Sequence, residues 1–141
     1  MQNYLNAMLA CTRSVNPLFD FLGARLISAT AGEAVVSLPV SRNLQQGAGL
    51  VAGGILAAMA DESMAHAVMS LLGPDQGIVT VEMNIRFLRA SKPDQEGCIT
   101  AEAHVVKPGR TIMAADARVN DPSGRLLAVA GGSFQVISSA P

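Results

Sequence analysis

Residues 47–67 read GAGLVAGGILAAMADESMAHA. Four glycines fall within the first eight positions, an alanine-rich run follows, and an adjacent carboxylate pair, Asp61 and Glu62, interrupts it. From residue 54 to residue 72 the spacing predicts a helix of about five turns at 3.6 residues per turn. Ile55, Leu56, Met59, Met64, Val68, Met69, Leu71 and Leu72 supply its bulk, with alanine at 57, 58, 60, 65 and 67 between them. So much alanine lets a helix lie close against a sheet, so this element is expected at the centre of the core. Met59, Met64 and Met69 read as core filler. Gly73-Pro74 is a stop signal. An acid two turns into what should be the most buried helix needs a reason.

Upstream, Tyr4, Leu5, Met8 and Leu9 suggest a short amphipathic helix, which Asn16-Pro17 breaks. Residues 17–23 add a helical turn. Strands are expected at 25–29 and 33–40, and residues 41–52 read as a loop. Downstream, residues 77–89 form a strand in which Val79, Val81, Met83, Ile85 and Phe87 alternate with Thr80, Glu82, Asn84 and Arg86. Residues 98–106 place Ile99, Ala101, Ala103 and Val105 on one face. KPGR at 107–110 is a turn, 111–120 a strand, DPSG at 121–124 a turn, and 125–137 the last strand. Within it, Gly131-Gly132 marks a bulge or a close approach. With no repeat or linker, residues 1–141 read as a single α+β domain, a long central helix packed on a curved antiparallel sheet.

Composition narrows the class. Half of the 141 residues are apolar and 15% are charged, which excludes disorder. Net charge is −1 and the ten basic residues are scattered, so no nucleic-acid partner is expected. Mean hydropathy is +0.34, yet the longest uncharged run, 43–60, contains Asn43, two glutamines and four glycines. A membrane span needs about 20 predominantly apolar residues, so no membrane association is expected. Residues 1–13 lack the basic start of a signal peptide. A soluble chain with so little polar surface is expected to bury part of it in an oligomer. Cys11 and Cys98 form neither a metal-ligand spacing nor a disulfide framework. They read as reduced thiols of a cytoplasmic protein.

The order of elements, together with particular residues, resembles the hotdog-fold acyl-CoA thioesterases, and among them the phenylacetate-pathway thioesterases. Residues 49–54, GLVAGG, resemble the family's Gly-x-x-His-Gly-Gly loop, and Asp61 lies eight residues after Gly53, where the family carries its acid. Residues 80–91, TVEMNIRFLRAS, resemble the strand that ends in a Phe-Leu-Arg-Pro-like segment. VVKPGRT at 105–111 resembles the next hairpin, and GRLLAVAGGSF at 124–134 the last strand. The likeness runs from about residue 17 to residue 137. One departure stands out: the family's His is Ala52 here. Gln46, six residues earlier, stands where many members have Asn.

The resemblance implies a hydrolase that splits an acyl-CoA to free acid and coenzyme A, and gives the residues roles. Gly53 offers its backbone N–H, at a helix start, to the oxyanion, and glycine there lets a carbonyl come close. Asp61 is the nucleophile or general base. Gln46 orients the carbonyl or the water, and Thr80 matches a hydroxyl residue near the attacking water. Ala52 and Gly54 border the substrate. Coenzyme A carries phosphates, for which Arg86, Arg89, Lys107 and Arg110 are the available cations, with Gly109 in the turn between the last two. No cofactor or metal is implied, because coenzyme A belongs to the substrate. Asp61 lies about 12 Å along the helix axis from Gly53, at 1.5 Å per residue. The two can serve one carbon only if two subunits pair with their helices antiparallel, as in hotdog dimers, with a dimer of dimers implied. The acid then lines a cleft between subunits. Glu62 and His66, four apart, read as a surface pair, and His104 as exposed. Asp61 and His66 are some 140° apart around the helix, which speaks against a hydratase pair. The alternative is an acyl-CoA binding or regulatory protein that lost turnover with the loop His.

Overall fold

The alternating segments of the second half do form strands. In a computed structural model, which describes residues 1–138, they are β3 (Gln76–Phe87), β4 (Cys98–Lys107), β5 (Ile112–Asn120) and β6 (Leu126–Ser138). Before them come α1 (Gln2–Leu9), α2 (Pro17–Leu22), β1 (Arg25–Thr30), β2 (Glu33–Pro39) and the long helix α3 (Gly53–Met69). The strands make one antiparallel sheet in the order β1-β2-β4-β5-β6-β3. With α3 packed on one face of this curved sheet, the architecture is the hotdog arrangement that the resemblance implied.

Alanine decides how the two layers meet. In register across four strands, Ala34 pairs with Ala103, Ala103 with Ala117, and Ala117 with Ala130. All four are buried, and Ala60 and Ala67 of α3 are fully so. Small side chains on both surfaces let the helix settle close to the sheet, while Met59, Met64, Leu127 and Phe134 fill the space around the contact. Gly132 is part of this closeness. A Cβ there would stand 3.1 Å from the Glu82 carbonyl oxygen and 3.3 Å from Met64 Cε, so the close approach read from Gly131-Gly132 is real.

Two local readings are corrected. Asn16-Pro17 does not end the first helix, which stops at Leu9. It starts the second: Asn16 Oδ1 accepts the N–H groups of Leu18 and Phe19, Pro17 occupies the first turn, and Gly23 closes α2 at φ +73°. The second concerns β3. Thr80 pairs with Phe134 and Glu82 with Ser133, which leaves Val81 as an extra residue, a bulge. The inward face therefore changes parity across Val81. Ile78 lies against the core before it, Met83 and Ile85 after it, and Val79 and Val81 are 46% and 55% exposed. The strict alternation read from the sequence holds only from Met83 onward.

β3 is an edge of the sheet. Val79, Val81, Phe87 and the following Leu88 stand exposed along it beside Thr80, Glu82, Asn84 and Arg86, and among the described residues its outer backbone groups are unpaired. Among the described residues, no helix is long and apolar enough to cross a membrane.

Candidate active site

Most of the residues singled out from the sequence fall into two groups, one at the start of α3 and one around Asp61 midway along it. The first is the entry to the helix. Residues 46–50 form a tight turn, closed by the Gln46 N–H on the Leu50 carbonyl at 2.8 Å and the Gly49 N–H on the Gln46 carbonyl at 2.9 Å. Val51 N–H is held by the Ser91 carbonyl and Ala52 N–H by Leu44. Ala52 is the N-cap of α3, extended at φ −64°, ψ 135°, and its methyl cannot cap the helix. Among the described residues the N–H groups of Gly53 and Gly54 have no acceptor. They are the orphan donors of a helix start, at the positive end of its dipole.

Gly53 opens onto a pocket of about 330 Å³, lined also by Gln46, Leu56, Phe87, Arg89 and Ser91. The Phe87 ring packs over Gly53, whose Cβ, if it had one, would lie 3.3 Å from Phe87 Cζ. Gln46 spends its Oε1 on the Ala48 N–H, so its Nε2 is the end left to donate. Arg89 is anchored by Nη1 on the Leu126 carbonyl at 2.9 Å.

The second place lies two turns along. Thr80 Oγ1 donates to Asp61 Oδ1 at 3.0 Å, and Asp61 is half-buried. The bulge at Val81 makes this contact: without it Thr80 would share a face with Met83's outward neighbours. The turn with Lys107, Gly109 and Arg110 belongs to the same end of the sheet, since Lys107 pairs with Ala114, Met113 with Phe134, and Phe134 with Thr80. Gly109 has a structural reason there as well, because a Cβ would strike the Ile112 carbonyl oxygen. Within one chain Gln46, Gly53 and Arg89 meet, and Asp61 and Thr80 meet, but the two groups do not meet each other. Arg86 is exposed and lines no part of the pocket.

Glu62 and His66 are not the surface pair read from their spacing. His66 is fully buried. Its ring lies between Tyr4 and Phe19, centroids 5.7 and 5.4 Å away. Nε2 meets the Tyr4 hydroxyl at 3.2 Å, and Nδ1 meets the Glu62 carbonyl at 2.6 Å. Asn16 Nδ2 donates to Tyr4 Oη at 3.2 Å and reaches Glu62 Oε2 at 3.5 Å. Burial, and then the neighbouring Asp61 charge, push the Glu62 carboxyl up to about 7, with Asn16 opposing. Burial holds the imidazole below its ordinary value, so His66 is neutral near pH 7. The residue beside Asp61 thus ties the N-terminal helices to α3. Spacing along one helix carries no trace of this, because the partners of Glu62 and His66 are dozens of residues away.

Ser91 and Phe87 also escaped the sequence reading as pocket residues. A further groove of about 430 Å³, between residues 11–14 and α2, holds none of the candidates. Among the described residues, no three His, Cys, Asp or Glu side chains cluster as metal ligands.

Comparison with known proteins fits this geometry. The family model described as the thioesterase superfamily matches residues 48–128, more than half of the chain. The 1,4-dihydroxy-2-naphthoyl-CoA hydrolase of Listeria monocytogenes is 28% identical over 79% of this chain and 89% of its own. Acyl-coenzyme A thioesterase 13 of Homo sapiens is 30% identical over 73% of this chain and 72% of its own. Among solved structures, a phenylacetic acid degradation-related protein from Ralstonia eutropha superposes with a TM-score of 0.82 at 25% identity, covering 94% of this chain and 99% of that one.

Proposed function

The chain belongs to the thioesterase superfamily, and we propose that it hydrolyses an acyl-CoA to free acid and coenzyme A at sites shared by two copies of itself. The observation that carries this is the separation of complementary parts. Unpartnered N–H donors sit at the head of α3, and a carboxylate held by Thr80 sits about 12 Å further along the same helix. A second copy docked on the exposed β3 edge, its α3 antiparallel, brings the donor of one chain to the acid of the other. That edge has exposed valines, Phe87 and Leu88 and, among the described residues, an unpaired backbone, both of which favour such docking.

In the resulting site the thioester carbonyl oxygen takes the Gly53 N–H, with Gln46 Nε2 as a further donor. Charge developing on that oxygen is stabilised by donors already fixed in place. Asp61 of the other chain bonds to the carbonyl carbon directly, or takes a proton from the water that does. Thr80 fixes the carboxylate. The C–S bond breaks, and the coenzyme A thiolate leaves and is protonated. Direct attack leaves an anhydride, which water then opens, returning the Asp61 carboxylate and the free acid. Ala52 and Gly54 border the carbonyl, and Arg89, Lys107, Gly109 and Arg110 lie toward the coenzyme A phosphates. The protein works in the cytoplasm as a dimer, assembled into a dimer of dimers.

One observation favours a second reading. Ala52 offers no imidazole to place the carbonyl, which suits a chain that binds acyl-CoA without turning it over. Assay of free thiol release across a panel of acyl-CoAs decides between the two. Release that Asp61→Asn lowers by about 10²- to 10⁴-fold supports the hydrolase. Tight binding with no release by the unaltered protein rejects it.

A further inference from the structure

Ser91 belongs to the wall of the Gly53 pocket, yet only 1% of it is exposed. Its carbonyl is engaged by the Val51 N–H at 2.9 Å. Its hydroxyl is not: among the described residues Ser91 Oγ is buried with no hydrogen-bond partner. A buried hydroxyl left unpaired destabilises the fold, and folded proteins keep such groups rare. Alanine would occupy the same place without that penalty, so the hydroxyl contributes nothing evident to folding.

The rest of the pocket indicates what the hydroxyl is for. Leu50, Val51, Leu56, Phe87, Leu88 and Ala90 are apolar. Of the remaining polar groups, Gly53 N–H, Gln46 Nε2 and the Arg89 guanidinium donate, and Gln46 Oε1 is already engaged by the Ala48 N–H. Ser91 Oγ, buried just behind this wall, is the one side-chain atom of these residues that can both donate and accept and has no hydrogen-bond partner among the described residues. A substrate hydroxyl or amide N–H brought to it would find an acceptor not already engaged within the chain.

We propose that Ser91 is a specificity-determining residue whose hydroxyl hydrogen-bonds a neutral polar group of the bound thioester. Two parts of an acyl-CoA carry such a group: a hydroxylated acyl chain and the amides of the pantetheine arm. The proposal rests on the thioesterase reading, because it takes the Gly53 pocket as the substrate's place.

The test compares the unaltered protein with Ser91→Ala. Thiol release is measured on benzoyl-CoA against its three monohydroxy isomers, and on butyryl-CoA against 3-hydroxybutyryl-CoA. The same acyl groups are also offered as ethanethiol thioesters, which lack every amide. Binding of non-hydrolysable thioether analogues of the same acyl-CoAs is measured by calorimetry. The expected result is a loss of about three- to tenfold in kcat/KM and in affinity, confined to one class of substrate. A loss confined to hydroxylated acyl groups, on either carrier, identifies the acyl arm. A loss on every CoA thioester but on no ethanethiol thioester identifies the pantetheine arm. Melting temperature and oligomeric state are expected to stay as they were, or the melting temperature to rise.

Values unchanged within about twofold for every compound would overturn the proposal. So would an equal loss on all of them accompanied by a weaker fold or dimer, which would mark the hydroxyl as structural. Should the unaltered protein release no thiol, the hydrolase reading fails by itself and calorimetry still judges Ser91. Analogue binding indifferent to Ser91→Ala, or absent, then rejects the proposal.

Discussion

Replacing Glu62 by glutamine is expected to stabilise the protein strongly at pH 8 and only slightly at pH 5. The folded state holds the Glu62 carboxyl at about 7, up from 4.5, because burial and the Asp61 charge disfavour the carboxylate. Between those values the folded chain binds more protons at Glu62 than the unfolded chain, so this residue lowers stability as pH rises. The penalty is small at pH 4.5 and complete above pH 7. A shift of that size corresponds to about 3 kcal/mol at pH 8 and less than about 1 kcal/mol at pH 5, at 1.36 kcal/mol per pH unit. Glutamine keeps the shape and can still accept from Asn16 Nδ2, but it never has to ionise. His66 acts with the opposite sign. Its folded value lies below the ordinary 6.5, so the unfolded chain takes up the proton first and stability falls as pH drops below 6.5. Urea denaturation from pH 5 to pH 8, at fixed protein concentration because the proposed dimer would contribute to stability, isolates the Glu62 effect. The gap between Glu62→Gln and the unaltered protein should widen by about 2 to 3 kcal/mol across that range. The variant alone should show the rise up to pH 6.5 that His66 dictates. Two curves that stay parallel from pH 5 to pH 8 would refute the reasoning, and with it the buried link between the N-terminal helices and α3.

Two further outcomes follow from the acid end of the site. Thr80→Ala removes the 3.0 Å hydrogen bond to Asp61 and should lower kcat about five- to tenfold with KM nearly unchanged. Thr80→Ser should keep most of the rate, as steady-state kinetics on one acyl-CoA would show. Deleting Val81 removes the bulge and forces a choice: either Thr80 leaves Asp61, or Met83 and Ile85 leave the core. Turnover should fall to the Thr80→Ala level, or stability should drop by more than about 2 kcal/mol in a denaturant titration. A deletion that changes neither would show that the bulge does not set the parity of β3.

The sequence made some parts of the molecule readable because their causes are local. Alanine between bulky residues at 54–72 identified a helix made to lie close to a sheet, and paired alanines on β2, β4, β5 and β6 are the surface it lies on. The turns at 107–110 and 121–124 carry their own chemistry. In the second, Asp121 Oδ1 accepts the Ser123 and Arg125 N–H groups at 2.9 Å each. What stayed hidden has causes far along the chain. A single inserted residue, Val81, reverses which face Thr80 takes, and alternation cannot reveal a bulge whose evidence is the register with β6. His66 looked exposed because Tyr4, Asn16 and Phe19, which bury it, are brought in by the docking of α1 and α2. β3 follows α3 in the chain yet pairs with β6, so its position at the edge was invisible until the last strand was placed. Ser91 carried no signal in the sequence, since a serine in a connection between two strands is ordinary until its surroundings are known.

Subunit mixing tests the shared site most directly. Asp61→Asn disables the acid half. Gly53→Pro disables the donor half by removing its N–H, at a helix position that tolerates proline and after an Ala52 whose φ of −64° and ψ of 135° already suit a following proline. At the new Cβ the neighbour is the Phe87 ring, 3.3 Å away, which has to give way slightly. Each variant alone should be nearly inactive. Unfolded together and refolded in equal amounts, half of the dimers are mixed, and each mixed dimer holds one intact site and one doubly altered site. Activity should therefore return to about one quarter of the unaltered level. Activity that never exceeds the sum of the separate variants, although mixed dimers are shown to form, would contradict a site built from two chains.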